Sequence, residues 1–255
     1  MVSRRAGAVR ATPIPAAGQA LRAKIVTAAR ILDTERLVEA FGHVSARARD
    51  GRGNERVLIT PRRALSLVEA ADLATLDLAT GGTLRGRPPL EVALHLAIYR
   101  ARPDVGAICR THSPMVAVFG ALGRPIRRVH GFGTWLGSRV PVFETTLLVA
   151  DARLATRVAA ALGDGPALIL RGNGAFVTGA TVAEATFKAI VLEEAARIGY
   201  QAALLGRPRI YPATAIAARL AMDHTDEPLR AWAHYARRAA LSASSARHRQ
   251  RASAR

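Results

Sequence analysis

The 255 residues predict an α/β protein built on a central mixed β-sheet. Three observations carry this. Leu21, Ile25, Ala28, Ile31, Leu32 and Leu37 recur at helical spacing, the mark of an amphipathic helix. Short apolar strands alternate with helices along the chain rather than following them in one block. Half of the residues are apolar and 22% are charged, enough for a sizeable core at this length.

The elements follow in order. A helix is expected over 17–41, closed by Gly42. Val44–Ala48 alternates like a strand, residues 50–54 turn through two glycines, and Val57–Thr60 returns, which reads as a hairpin. Pro61 closes the second strand, and short strands are expected over 73–78 and 83–86. Pro88-Pro89 precede a helix from Leu90 to Arg102 that Pro103 stops. Val105–Thr111 is an apolar strand. Ser113 is an N-cap candidate for the next helix, with Pro114 at its first position. A short strand over 140–143, a helix over 150–162 and a buried strand over Ala167–Leu170 come next. Arg171-Gly172-Asn173-Gly174 makes a tight turn into the strand Ala175–Thr178. Thr181 caps a long helix through Leu205, and one or two helices are expected over 212–235. The domain reading is a flexible basic arm over 1–16, one domain over 17–236 and a disordered basic tail over 237–255.

The net charge of +18 is concentrated at the ends. Residues 1–24 hold five basic side chains and 237–255 hold six, with no acid in either. These ends are read as solvated tails, since no aromatic interleaving or nucleic-acid motif accompanies them. No nucleic-acid or membrane partner is therefore expected. Cys109 is the only cysteine, which excludes a disulfide scaffold. No apolar run approaches bilayer length, and Thr12, Pro13 and Pro15 interrupt any leader-like core. A cytoplasmic location is the expectation.

Six polar residues stand at element ends, where sites tend to form: His43, Glu91, Arg110, His112, His130 and Asn173. Arg110 and His112 are two apart at a strand's end and share a face. Glu91 opens a helix after two prolines. Asn173 lies between two glycines, where backbone can approach a ligand closely. Singly, each has a plainer reading. A glutamate in a first helical turn is often only a dipole partner, and His95 is read as its neighbour on the same helix face.

Taken together, these residues resemble a known family. Gly42-His43-Val44-Ser45-Ala46-Arg47, Ile59-Thr60-Pro61, Glu91 to Arg102 with Pro103-Asp104-Val105, Arg110-Thr111-His112-Ser113-Pro114, Leu170-Arg171-Gly172-Asn173-Gly174 and Glu184-Ala185 stand in the order of the class II aldolase/adducin family. The resemblance implies a class II aldolase-like α/β/α fold, a homotetramer and a divalent metal (Zn, Mn or Fe).

The departures narrow it. The family aldolases hold their metal with three histidines, two from a His-x-His strand end and one from a His-Gly turn. Here the corresponding residues are Arg110, His112 and Asn173. Only His112 remains as a metal-ligand candidate, because arginine stays protonated and a carboxamide is a poor zinc donor. The aldolases' Ser-Ser pair before the glutamate is replaced by Pro89-Leu90. Arg62 and Arg63 follow the second strand and suit a carboxylate. With His130-Gly131-Phe132-Gly133, these features resemble the branch that decarboxylates dihydroxyphthalate-type acids and carboxylated ring-cleavage dienoates. The implied activity is a carbon–carbon lyase, a non-oxidative decarboxylase of an aromatic or dienoic carboxylic acid. The alternatives are an aldolase or dehydratase on a small hydroxy or sugar acid, a non-haem iron oxygenase, and a non-catalytic adducin-like binding protein. The implied catalytic residues are Glu91, His112 and Arg110, with Asn173, His43, Arg62, Arg63 and His130 binding substrate. For Arg110 the other reading is a salt bridge to Glu91.

Overall fold

A computed structural model describes residues 16–222 and 226–253. The chain runs α1 (Ala16–Thr34), β1 (His43–Arg49), β2 (Glu55–Ile59), β3 (Ala74–Asp77), β4 (Thr83–Arg85), α2 (Val92–Ala101), β5 (Ala107–Thr111) and α3 (Pro114–Ala121). It continues through β6 (Ile126–Arg127), β7 (Arg139–Val140), β8 (Val142–Phe143), α4 (Ala152–Leu162), β9 (Ala167–Leu170) and β10 (Ala175–Gly179). Helices α5 (Val182–Leu205), α6 (Ala213–Leu220) and α7 (Glu227–Ser253) complete it.

Eight strands form one sheet in the order β4-β3-β2-β1-β5-β10-β9-β8. Every pairing is antiparallel except β8 with β9, so the sheet is mixed, as the sequence predicts. Alternation along each strand sends residues to two cores. Val44, Cys109, Ile169 and Val177 pack with Ile25, Leu32, Val116 and Leu192 from α1, α3 and α5. Ile59, Ile108, Leu168 and Phe176 pack with Leu94, Ile98, Tyr99 and Val158 from α2 and α4. The result is an α/β/α fold.

Most helix ends fall where the caps predict. Asp151 caps α4 by accepting from the Leu154 N–H, and Thr181 caps α5 by accepting from that of Glu184. Four differences have physical causes. Helix α1 ends at Thr34 rather than at residue 41. Arg36 takes φ +58°, Leu37 N–H bonds Leu32 O and Arg36 N–H bonds Asp33 O. This Schellman turn has arginine where glycine is usual, and it is held by burial of Leu37 and Val38. Ser113 stands at the N-cap of α3, but its hydroxyl makes no capping bond. Glu193 of α5 accepts from the Met115 and Val116 N–H groups instead, at 3.0–3.1 Å. Pro141 splits the strand expected over 140–143, so β7 pairs with β6 while β8 joins the main sheet.

The fourth difference is at the C-terminal end. The stretch from 237 is not structureless: α7 continues through Ser253. Its Ala and Arg residues favour a helix, Ala239 is buried, and Arg238 pairs with Glu35 at 3.3 Å. Of the arm expected over 1–16, residues 1–15 lie outside the described residues and Ala16 begins α1. No described helix is long and apolar enough to cross a membrane.

Candidate functional site

Strand register builds the floor of the site. His43, Arg110 and Phe176 are register partners across β1, β5 and β10. All three belong to the sheet face covered by α2, and Ser45 shares it two residues beyond His43. Glu91, at the N-cap of α2, His95 and Tyr99 recur every four residues and form the polar stripe that meets this face.

Arg110 is fully buried. Its Nε donates to Glu91 Oε2 at 3.1 Å and its Nη1 to the Thr111 carbonyl at 2.6 Å. The guanidinium lies 5.0 Å from the Phe176 ring centroid, a cation–π contact. Burial pulls the Arg110 pKa down, and the charge of Glu91 opposes that shift. The salt-bridge reading of Arg110 therefore holds, and its guanidinium does not line the cavity.

The turn after β9 supplies the next layer. Asn173 Nδ2 donates to Glu91 Oε1 at 3.4 Å, which directs its Oδ1 to His112 Nε2 at 3.3 Å. His112 Nδ1 faces the Phe41 carbonyl at 3.2 Å. Burial and the Arg110 charge lower the His112 pKa. Gly174 makes this turn possible, with φ +65°. A Cβ there would collide with the Thr111 carbonyl and lie 2.6 Å from Arg110 Nη1.

These side chains open onto a cavity of about 560 Å³. His43, Arg62, Arg63, Glu91, His112 and Asn173 all line it. Arg63 is tied to Asp72 at 3.0 Å. Glu91 is the one acid among the described lining residues. His43 is pushed down to about 3 by burial and by the Arg110 and His112 charges. His130 is not brought to the cavity. It precedes a 3-10 turn over Phe132–Leu136 and lies in the electrostatic field of Glu194 and Arg219.

The sequence reading missed two groups. Phe41, Leu90 and Leu148 give the cavity an exposed apolar rim. No local pattern marks them, because they come from three separate loops. His95, Ser45 and Tyr99 form a buried polar chain behind His43. The four-residue spacing from Glu91 through His95 to Tyr99 was the available signal.

Class II aldolases typically use a divalent metal, and the donor set here does not fit one. The Arg110 cation stands where an imidazole would be and would repel a cation. His112 is the one imidazole left of the three, and its Nε2 is already engaged by Asn173 Oδ1. Among the described residues, no group of three His, Cys, Asp or Glu side chains could hold a metal.

Comparison with known proteins bears out the class II aldolase/adducin resemblance. Residues 23–200 match the family model described as the class II aldolase and adducin N-terminal domain. A 3,4-dihydroxyphthalate decarboxylase from Arthrobacter keyseri is 32% identical over 211 residues, covering 76% of this chain and 83% of that protein. A 5-methylthioribulose-1-phosphate/5-deoxyribulose-1-phosphate aldolase from Rhodospirillum rubrum is 34% identical over 209 residues, covering 78% and 89%. The crystal structure of an aldolase II superfamily protein from Pseudomonas syringae superposes with a TM-score of 0.77 at 23% identity, covering 91% and 96%.

Proposed function

From the premise that this chain belongs to the class II aldolase and adducin family, we propose that it is a carbon–carbon lyase, a non-oxidative decarboxylase of an aromatic or dienoic carboxylic acid. The observation that carries this is the charge pattern of the cavity. One carboxylate, Glu91, stands among His43, Arg62, Arg63, His112 and Asn173 beneath an apolar rim. Such a lining suits a flat, unsaturated substrate that carries more than one acidic group. The decarboxylase relatives act on a substrate of that kind, 3,4-dihydroxyphthalate.

Each residue has a role. Arg110 is a positioning residue: it holds Glu91 Oε2 and leaves Oε1 toward Asn173 and the cavity. Arg62 and His43 bind the carboxylate that is retained. Glu91 Oε1 takes the proton of a substrate hydroxyl conjugated to the reacting carbon. Glu91 hands that proton to the carboxyl-bearing carbon, which becomes tetrahedral as the oxygen becomes a carbonyl. The carbon–carbon bond then breaks, carbon dioxide departs, and the electron pair flows through the conjugated system onto that oxygen. His112 Nε2–H swings from Asn173 to the oxyanion, and one proton from solvent restores the hydroxyl. None of these steps uses a metal.

A second reading, a retro-aldol cleavage, is favoured by the Rhodospirillum rubrum relative. Pro89-Leu90 and the lost imidazoles weigh against it. The homotetramer belongs to the proposal as well, and light scattering tests it. The activity test incubates the purified protein with 3,4-dihydroxyphthalate and other ortho-dicarboxylated phenols, and separately with phosphorylated ketoses. Carbon dioxide release from the former supports the proposal. Aldehyde release from the latter alone replaces it with the second reading.

A further inference from the structure

Behind His43 lies a polar chain that the proposed mechanism does not use. Tyr99 OH and His95 Nδ1 both lie 2.8 Å from Ser45 Oγ. All three residues are buried. The chain has a direction. The phenolic hydroxyl of Tyr99 has Ser45 Oγ as its hydrogen-bond partner, so it donates there. The Ser45 hydroxyl is then free to donate to His95 Nδ1. That bond leaves the His95 proton on Nε2.

Three buried nitrogens belong to side chains grouped at the end of this chain. His95 Nε2, His43 Nδ1 and Arg110 Nη2 have no hydrogen-bond partner among the described residues. Their side chains are neighbours. His43 and Arg110 are register partners, and the His43 and His95 rings are 5.8 Å apart. Arg110 and His95 both pack on Phe176, at 5.0 and 5.4 Å. Buried polar groups left without protein partners are commonly bridged by an ordered water with two to four contacts. Here Nη2 and Nε2 are both donors. A water that accepts from both has two protons to give, and His43 Nδ1 is an acceptor at hand for one of them.

We propose that Tyr99, Ser45 and His95 act as positioning residues, forming a directional hydrogen-bond wire that works through one water shared with Arg110. The wire fixes His43 as the Nε2–H tautomer, a neutral donor turned to the cavity. The site then selects an acceptor oxygen at this point, a carboxylate or phenolate of the substrate, and rejects a donor group. The wire rests on the proposed function only for what His43 touches.

Long-range proton–nitrogen correlation spectra of the full chain labelled with nitrogen-15 histidine test the wire without substrate, so it can fail separately from the proposed activity. The His43 signals are those lost in His43→Asn. The wild-type protein is expected to show His43 and His95 both protonated on Nε2. His95→Phe is expected to shift His43 toward the Nδ1–H form. His95→Gln, whose amide can keep a donor near the Nε2 position, is expected to preserve the wild-type His43 pattern. A wild-type His43 that is Nδ1–H or doubly protonated overturns the proposal, as does a His43 pattern unmoved by His95→Phe. If the phenylalanine variant does not fold, the wild-type and glutamine spectra decide by the same criteria.

Discussion

Arg110 Nε donates to Glu91 Oε2 at 3.1 Å, and both side chains are almost wholly shielded from water. A buried pair of this kind is weak evidence for net stability, but breaking it by removing one partner is costly. Arg110→Met is expected to lower stability by about 3–5 kcal/mol, because Glu91 is left buried and unpaired. Arg110→Lys should be milder in stability, yet it loses the planar geometry that aims the carboxylate. Denaturant unfolding of both variants, with turnover measured in parallel, checks this. Equal stability in all three proteins would contradict it.

Gly174 separates the Asn173 turn from β5. Gly174→Ala places a methyl group against Thr111 O and Arg110 Nη1, at a positive φ. The expected cost is about 1–3 kcal/mol, with a fall in turnover as Asn173 and Arg110 shift together. Gly172→Ala, also at positive φ but with open space around it, should lose stability and keep more of the turnover. The comparison separates backbone strain from crowding at the site.

Burial keeps His43 neutral, with its pKa pushed down to about 3, and lowers that of His95 as well. A histidine in the unfolded chain titrates near 6.5. Below that value the unfolded state binds protons that the folded state refuses, so stability falls as pH drops from about 6.5 toward about 3. Each such imidazole contributes a slope of at most about 1.4 kcal/mol per pH unit. His43→Asn should flatten the stability profile between about pH 5 and 6.5, above the range where most carboxylates titrate. An unchanged slope there would show that His43 titrates alike in both states.

The donor set predicts how the enzyme responds to metal removal. Protein treated with a strong chelator and then desalted should retain its turnover, and added zinc should not raise it. Activity lost on chelation and restored by one divalent ion would contradict the assignment of Arg110 and His112.

Much of this was legible before any coordinates. Pro103 and Thr181 bound their helices as local chemistry dictates, and Glu91, His112 and Asn173 do converge. What escaped depends on tertiary context. Arg36 ends α1 in a conformation that its side chain does not advertise, because burial of Leu37 imposes it. Glu193 displaces Ser113 as the cap of α3 from 80 residues away in sequence. The sequence leaves Arg110 open between touching substrate and holding Glu91, and only tertiary structure puts its buried guanidinium on Glu91. His130 shares a motif-like run with glycines, yet no local signal tells which way its loop is folded.

The most direct test of the central claim, that Glu91 carries the proton in this site, is the turnover of Glu91→Gln on an acid that the wild-type protein decarboxylates. The substitution keeps size and shape but cannot cycle a proton. The expected result is a loss of about 10²–10⁴-fold in kcat with native circular dichroism. Wild-type turnover in a folded Glu91→Gln protein would contradict the account.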